Sequence, residues 1–394
     1  MCTRVFINKE KGSALTARTM DWFERFDTNL WGFPAGVTRF AMPGDEDSYS
    51  WISKYRSIAT AISLGENKKP ELISTTDGLN EKGLVVNTLY LSESDYGEAS
   101  AGDTNMCMTI WGQYMLDNYA SVEEAVQGWV DLHVHIVSTI IPSPTGVEKP
   151  ASQHISLSDS DGNSAIFEYY KSDGKSKLHI TTNIDVAKLD FKEEDISIHY
   201  ERDCDVMTNS PVYSQQIKLN YYWRWQWDRG IDSQADTNKS AKTETLPGTS
   251  RAPDRFARVS HYLNKIEIKT AGAEAIGQAF SLIRTASVPI GYIPDIDEPN
   301  ISNTLWTTVS DQNTKTYYFQ STDYPNLIWV DLEKLELNDI ESVLRLDINP
   351  YETYVGNVTD QMIKTPVSEF MFYPADNVDA GCKSDQHHLV ENKV

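Results

Sequence analysis

The second residue of the chain, Cys2, carries both a thiol and an α-amino group once Met1 is removed. An α-amine has a pKa of about 7.7–8.0, so near neutral pH a large share of it is an unprotonated base. Such an amine can accept the thiol proton, and the resulting thiolate can attack a carbonyl carbon. The opening residues therefore predict nucleophilic catalysis by Cys2, with its own amine as the general base.

Two charged residues follow at a spacing that could serve this thiol. Residues 2–7 and 13–20 are β-rich runs on either side of the polar turn 8–12, which is typical of a β-hairpin. Pairing of these runs would place Arg18 and Asp21 beside Cys2. A carboxylate there can hold the amine, and a guanidinium can stabilise a thiolate. The alternative is a surface ion pair at a strand end, which would contribute little.

The rest of the pattern predicts sheets covered by helices, an α+β layered fold. Ser121 is placed to cap one helix, with Glu124 three residues on as its capping-box partner. Short polar turns mark two further hairpins. Strands are expected at residues 52–61 and 84–91. Hairpins are expected at residues 154–169 and 307–320, and helices at residues 121–132 and 271–285.

We expect residues 1–394 to form a single domain. The stretch 221–250 carries Trp223, Trp225 and Trp227 and then a polar tract, which indicates an insertion, a lid or an assembly segment. The tail after residue 374 is polar and is expected to be peripheral.

Composition excludes several classes of partner. The 394 residues carry a formal net charge of −22, which argues against nucleic-acid and anionic-membrane binding. The sequence contains no run of 18 apolar residues, so no transmembrane helix is predicted. The four cysteines lie far apart without a Cys-x-x-Cys pair, so a zinc site is not expected. Amide hydrolysis by a thiol and an amine also requires no metal or cofactor. Cys107 is predicted to be a buried, inert thiol, whereas pairing of Cys204 with Cys382 stays open.

Several sequence blocks together resemble the choloylglycine hydrolase family, which comprises penicillin V acylases and bile salt hydrolases. The matching blocks keep the family order and cover about residues 2–325. They are the opening Cys2-Thr3-Arg4, Arg18-Thr19-Met20-Asp21-Trp22, Asp77-Gly78-Leu79-Asn80-Glu81-Lys82-Gly83, Thr208-Asn209-Ser210-Pro211, Leu246-Pro247-Gly248, Asp254-Arg255-Phe256 and Thr304-Leu305-Trp306-Thr307.

The resemblance implies an N-terminal-nucleophile fold, an αββα sandwich of two antiparallel sheets between helices. It assigns Cys2 as the nucleophile, Asp21 as a hydrogen-bond partner of its amine and Arg18 as a contact of its side chain. Asn209 would donate its side-chain amide to the oxyanion, with Arg255 supporting the same network. Losing one oxyanion donor typically costs about 3–4 kcal/mol of transition-state stabilisation.

The same resemblance assigns the second oxyanion donor, a backbone N–H, to Tyr90. Penicillin V acylases tend to have Tyr at this position and bile salt hydrolases Asn, so Tyr90 favours the acylases. Trp22, Phe23 and Phe26 after Asp21 suggest an apolar pocket for an aryl or fatty acyl group, although aromatic residues are equally at home in a core.

We therefore predict an amide hydrolase that removes an acyl group from a small N-acyl substrate, as a penicillin V acylase or an N-acyl homoserine lactone acylase. The alternatives are a bile salt hydrolase and a non-catalytic binding protein on the same fold. The family expectation for assembly is a homotetramer. The compartment would be periplasmic if a signal peptide has been removed and cytoplasmic otherwise.

Overall fold

The computed structural model describes residues 1–8, 13–42, 47–64, 70–99, 102–141, 149–191, 196–232, 245–267, 271–293, 302–348 and 354–372. Within these ranges the strands are β1 (Cys2–Ile7), β2 (Leu15–Trp22), β3 (Thr28–Phe33), β4 (Thr38–Phe40), β5 (Ser50–Ile52), β6 (Ser57–Ser63), β7 (Glu71–Asn80), β8 (Val85–Tyr90), β9 (Thr104–Cys107), β10 (Val134–Val137), β11 (Ile140–Ile141), β12 (Lys149–Pro150), β13 (Gln153–Ser158), β14 (Ser164–Ser172), β15 (Lys175–Thr182), β16 (Ile196–Tyr200), β17 (Val206–Met207), β18 (Asn303–Asp311), β19 (Thr316–Ser321), β20 (Ile328–Asp331), β21 (Ser342–Asp347), β22 (Gly356–Asn357), β23 (Ile363–Pro366) and β24 (Phe370–Met371). The α-helices are α1 (Met108–Asn118), α2 (Val122–Asp131), α3 (Tyr213–Asp232), α4 (Ala252–Lys265) and α5 (Gly272–Arg284), and 3-10 helices span Val186–Lys188, Leu332–Lys334, Thr359–Gln361 and Val367–Glu369.

Two large sheets dominate the molecule. Sheet I has the strand order β17-β1-β2-β18-β19-β20-β22, and sheet II has the order β16-β15-β14-β13-β8-β7-β6-β3-β21-β23, with β24 beside β7. Neighbouring strands are antiparallel except where β22 joins β20, β16 joins β15 and β24 joins β7. The predicted antiparallel sheets are therefore present, with parallel pairing confined to their peripheral strands.

Helices cover the outer faces of both sheets. Helix α5 packs on β2 and β18 and α4 on β1, whereas α1 packs on β7 and β8 and α2 on β14. One apolar cluster includes Val5 of β1, Leu79 of β7 and Phe280 of α5. A second includes Trp111 of α1 and Trp129 of α2, whose rings stack 5.3 Å apart. The order of layers is α, β, β, α, as predicted, and β1 is buried throughout because both of its faces are covered.

Local signals located most of the predicted elements. Helix α2 begins where expected, and the Ser121 hydroxyl accepts the Glu124 N–H at 3.2 Å. The Glu124 carboxylate accepts the Ala120 N–H, one residue before the expected position. The prediction of one continuous strand over residues 52–61 is wrong. It breaks between β5 and β6 because the Ser53 and Lys54 N–H groups bond to Val37 and Asp117 carbonyls outside the sheet.

The predicted insertion at 221–250 begins inside a helix, since α3 runs from Tyr213 to Asp232. Residues 233–244 of that stretch, the tail after 374 and Cys382 lie outside the described residues. Across the described part of the chain, no helix is both long and apolar enough to cross a membrane.

Candidate functional site

The β1–β2 hairpin assembles the first part of the site. Its register sets Cys2 opposite Met20 and Arg4 opposite Arg18. Alternate residues of a strand share a face, so the Cys2, Met20 and Arg18 side chains point the same way. Arg18 contacts sheet II from this face, as shown by its bonds to the Thr76 and Thr88 carbonyls. The thiol therefore faces the space between the sheets.

Arg18 is a buried cation held against the thiol. Its Nη2 atom lies 3.4 Å from Cys2 Sγ, and its guanidinium lies 4.8 Å from the Trp306 ring centre. The two main-chain carbonyls of β7 and β8 accept its other hydrogen bonds at 2.8 Å each. Those neutral partners fix the orientation of the Arg18 guanidinium without cancelling its charge.

Asp21 and Arg255 form a buried pair on the opposite face of β2. Arg255 lies in the first turn of α4, and its Nη1 atom is 3.5 Å from Asp21 Oδ2. Thr304 and Thr19 hydroxyls donate to the two Asp21 oxygens at 2.6 and 3.2 Å. Burial raises the pKa of Asp21 and the charge of Arg255 opposes that rise; burial likewise lowers the pKa of Arg255.

Asn209 connects this pair to the chain start. Its Oδ1 atom accepts the Cys2 main-chain N–H at 2.7 Å and an Arg255 N–H at 2.8 Å. Two donors on one oxygen orient the amide, so its NH2 group points the other way and donates to the Tyr90 carbonyl at 2.6 Å. Arg255 also donates to the Cys2 carbonyl at 2.8 Å. Segments more than 200 residues apart in sequence thus meet at Cys2.

The amine at the chain start is buried beside Asp21. In the chain with Met1 present, that amine donates to the main-chain carbonyl of Asp21 rather than to its carboxylate. Desolvation lowers the pKa of the amine, and the Cys2 and Asp21 charges oppose the shift. This amine belongs to Met1, whereas the Cys2 nitrogen is a peptide nitrogen that donates to Asn209 Oδ1 and not to Asp21.

A small apolar pocket opens at the thiol. It encloses about 80 Å³, and its walls include Cys2, Arg18, Trp22, Phe26 and Tyr90. The Trp22 ring lies 5.8 Å from Phe26 and 5.9 Å from Tyr90, with the latter pair edge-on. These rings are therefore a wall of the pocket rather than a separate part of the core.

Phe23 is placed differently from the other two predicted pocket residues. Its ring is 5.3 Å from Trp22, yet it lines a neighbouring cavity of about 270 Å³ that shares only Phe26 with the Cys2 pocket. The expectation that Phe23 borders the same pocket is not met, because consecutive residues around the end of β2 point to different sides.

The structure also identifies residues that sequence reasoning did not single out. Thr304 holds Asp21, and its signal was its place in the matching block 304–307. Met20 lies with its sulfur 3.6 Å from Cys2 Sγ, which the hairpin register would have indicated. In the ranges that the structure covers, no group of three or more His, Cys, Asp or Glu side chains is placed to hold a metal ion.

Two antiparallel sheets between helix layers are the αββα architecture of N-terminal-nucleophile hydrolases, and here Cys2 begins the strand next to the edge of sheet I. The sequence model of the choloylglycine hydrolase family, whose members are described as linear amide C–N hydrolases, matches residues 2–345 of this chain. The chain belongs to this family and is an enzyme that hydrolyses a linear amide bond.

Known relatives agree in sequence and in structure. A penicillin V acylase of Pectobacterium atrosepticum is 36% identical over 373 residues, which are 90% of this chain and 87% of that protein. The structure of a penicillin V acylase from Agrobacterium tumefaciens, also 36% identical, covers 94% of this chain and 99% of its own with a TM-score of 0.74. A variant of the conjugated bile acid hydrolase from Clostridium perfringens has a TM-score of 0.65 at 20% identity, covering 90% of this chain and 99% of its own. This last similarity shows the fold alone.

Proposed function

We propose that this enzyme is an acylase in which the Cys2 thiol attacks the amide carbonyl of an N-acyl substrate, with penicillin V or an N-acyl homoserine lactone as the substrate. The observation that carries the proposal is the position of Cys2 Sγ. This sulfur borders an apolar pocket and lies 3.4 Å from Nη2 of Arg18. The 36% identity to two penicillin V acylases supports the same substrate class.

The reaction begins after Met1 is removed, because only then is the Cys2 nitrogen an amine. The amine takes the thiol proton, and Arg18 favours the resulting thiolate. Attack produces an anionic oxygen that receives hydrogen bonds from the Asn209 NH2 group and the Tyr90 main-chain N–H. The protonated amine then gives its proton to the leaving nitrogen, and water hydrolyses the thioester. Asp21 and Arg255 maintain the charge balance around the amine.

The pocket favours an aryl group or a straight acyl chain over a steroid. Pockets for whole drug-sized ligands enclose roughly 300–1,000 Å³, whereas this one encloses about 80 Å³. Trp22, Phe26 and Tyr90 form its aromatic side, and we expect the aryl or acyl group of the substrate to pack against these rings. A four-ring steroid is several times larger than one aryl ring, so we expect these walls to accommodate it less well.

A substrate panel tests the proposal. Phenoxymethyl-penicillin, a long-chain acyl homoserine lactone and glycocholate are assayed side by side with wild type and Cys2→Ala. We expect turnover of one of the first two substrates and none by the variant, which should retain the wild-type circular dichroism spectrum. A glycocholate rate well above the others would make the enzyme a bile salt hydrolase. Undiminished activity after iodoacetamide treatment would remove Cys2 from its role.

We also propose a homotetramer that uses the exposed face of α3. Leu219, Tyr221 and Tyr222 are 42%, 53% and 53% exposed, an unusual density of apolar surface for one helix. Burying them between copies of the chain would remove this area from water. Light scattering of the purified enzyme should give four times the chain mass, and Tyr222→Glu should reduce that mass without loss of helix content. A monomeric wild type would refute the assignment.

A further inference from the structure

Glu168 is a buried carboxylate at some distance along the chain from the proposed catalytic residues. It lies on β14 and is 3% exposed, and its Oε1 atom is 2.9 Å from Nδ1 of the equally buried His154 on β13. Acidic side chains are rarely buried unless other groups satisfy them. The contacts of Glu168 therefore indicate what it supports.

The second partner of Glu168 is the start of helix α3. Both of its carboxylate oxygens accept the Tyr213 main-chain N–H, at 3.1 and 3.0 Å. Tyr213 is the first residue of the helix, and its N–H is one of the four that a helix leaves without an internal acceptor. Val212 precedes it and has no polar side chain for capping, so Glu168 caps α3 from 45 residues away. A negative charge at this end also suits the helix dipole.

The first turn of α3 in turn holds Asn209. The Gln216 side-chain amide donates to the Asn209 carbonyl at 3.0 Å and to the Thr208 hydroxyl at 3.2 Å. Gln216 is 1% exposed, so water does not compete for these bonds. A shift of the helix start would therefore move the Asn209 main chain, and with it the side-chain NH2 group.

Glu168 also connects this helix to the strand that carries Tyr90. His154 is the register partner of Leu89 on β8, and Leu89 is the neighbour of Tyr90. These contacts form a closed path. It runs through Tyr90, Leu89, His154, Glu168, Tyr213, Gln216 and Asn209. The 2.6 Å hydrogen bond from the Asn209 side chain to the Tyr90 carbonyl closes it. The two residues proposed as oxyanion donors are therefore joined directly by this bond and indirectly through Glu168.

We propose that Glu168, held by His154, is a positioning residue that fixes the separation of the Asn209 amide from Tyr90. This inference rests on the proposed function, because it assigns Glu168 to the oxyanion site of that reaction. Glu168 touches neither the thiol nor the acyl pocket, so it acts through the Tyr213 N–H and the first turn of α3. The correct spacing of the two donors stabilises the anionic oxygen of the transition state, and it stabilises the bound substrate much less.

The test is a double-mutant cycle with phenoxymethyl-penicillin as the substrate. Glu168→Leu should lower kcat about tenfold with KM changed less than twofold, whereas Glu168→Gln, which keeps an acceptor for Tyr213, should retain at least a third of kcat. In an Asn209→Ala background, Glu168→Leu should change kcat less than twofold, because its effect passes through the missing amide. Equal losses in both backgrounds would overturn the inference, as would wild-type kinetics for Glu168→Leu.

Two further variants separate positioning from general stability. Asp117→Asn alters another buried carboxylate, paired with Arg39 at 2.6 Å, and should lower the melting temperature with kcat within twofold of wild type. If Glu168→Leu does not fold, Gln216→Met interrupts the same path and should give the same kcat loss and the same non-additivity. Wild-type kcat for Asn209→Ala would refute the proposed oxyanion site itself, an outcome distinct from additivity of the two substitutions.

Discussion

The side-chain oxygen of Asn209 lies 2.7 Å from the main-chain nitrogen of Cys2, although 207 positions separate the two residues. That nitrogen becomes the α-amine when Met1 is removed. The side chain proposed to bind the oxyanion through its NH2 group therefore holds the proposed base through its oxygen. Arg255 donates to the same oxygen at 2.8 Å, which keeps the amide from turning over. In the proposed mechanism, Asn209 therefore couples proton transfer to charge stabilisation.

Retention of Met1 should abolish activity. With Met1 in place the Cys2 nitrogen is a peptide nitrogen without basicity, and general bases typically contribute roughly 100- to 10,000-fold to rate. We expect a preparation that keeps Met1 to be at least about 100-fold slower than one from which it has been removed. Mass spectrometry of each preparation, alongside kcat, checks this. A fully active sample that carries Met1 quantitatively would contradict it.

Arg18→Met should make the Cys2 thiol less reactive. The substitution removes a buried cation 3.4 Å from the sulfur, and with it the attraction between that cation and negative charge that develops on the sulfur. We expect the rate of iodoacetamide alkylation at pH 7 to fall about tenfold, with a parallel loss in kcat/KM.

Arg4→Met is the matched control for this change. Arg4 is equally buried and lies opposite Arg18 in the same hairpin, but its guanidinium donates to the Cys204 and Leu157 carbonyls and the Ser164 hydroxyl. It should lower stability and leave the alkylation rate within twofold. A similar slowing in both variants would show that Arg18 acts through folding rather than through its charge.

Trp22→Ala should weaken the handling of aromatic acyl groups. Trp22 lines the Cys2 pocket, whereas Phe23 lines the neighbouring cavity. Loss of an aromatic contact of about 1–3 kcal/mol corresponds to a roughly 5- to 150-fold fall in kcat/KM for phenoxymethyl-penicillin. Phe23→Ala should change the same quantity less than threefold. Comparable losses from the two substitutions would show that both rings meet the substrate.

His179 should make the fold sensitive to mild acid. Burial, with the charges of His199 and Lys177, lowers the pKa of His179 to about 4, and its ring stacks on Tyr170 at 3.7 Å. The unfolded chain binds this proton near the ordinary pKa of about 6.5. The contribution of neutral His179 to the free energy of unfolding is therefore fully present above pH 6.5 and is lost as the pH falls towards 4.

The size of this loss is about 1–2 kcal/mol in the free energy of unfolding, after allowance for solvent screening near the protein surface. Urea unfolding between pH 7 and pH 4.5 measures it, with His179→Phe as the comparison because it keeps the stacked ring and cannot titrate. The difference between the two proteins should change in favour of the variant as the pH falls. A constant difference would contradict the prediction.

Sequence alone determined the parts of the site that are close together in the chain. Two β-rich runs around a short polar turn can pair in few ways, and that pairing is sufficient to place Arg18 beside the Cys2 thiol. It also places Asp21 at the chain start, but with its side chain on the opposite face of β2. The α2 cap and the two later hairpins were equally predictable, because their signals are local. Asn209 and Arg255 were reached only through the resemblance to a family, since 207 and 253 positions separate them from Cys2.

Tertiary structure decided everything that depends on which faces meet. That Phe23 borders a different cavity from Trp22, that Thr304 holds Asp21 and that Glu168 caps a helix 45 residues away are results of packing two sheets and their covering helices together. Hydrophobic burial drives that packing and is non-directional, so a pattern of apolar residues indicates that a face is covered and not what covers it. The buried polar groups then find their partners only in the assembled core, where water is absent and each contact must be made within the protein.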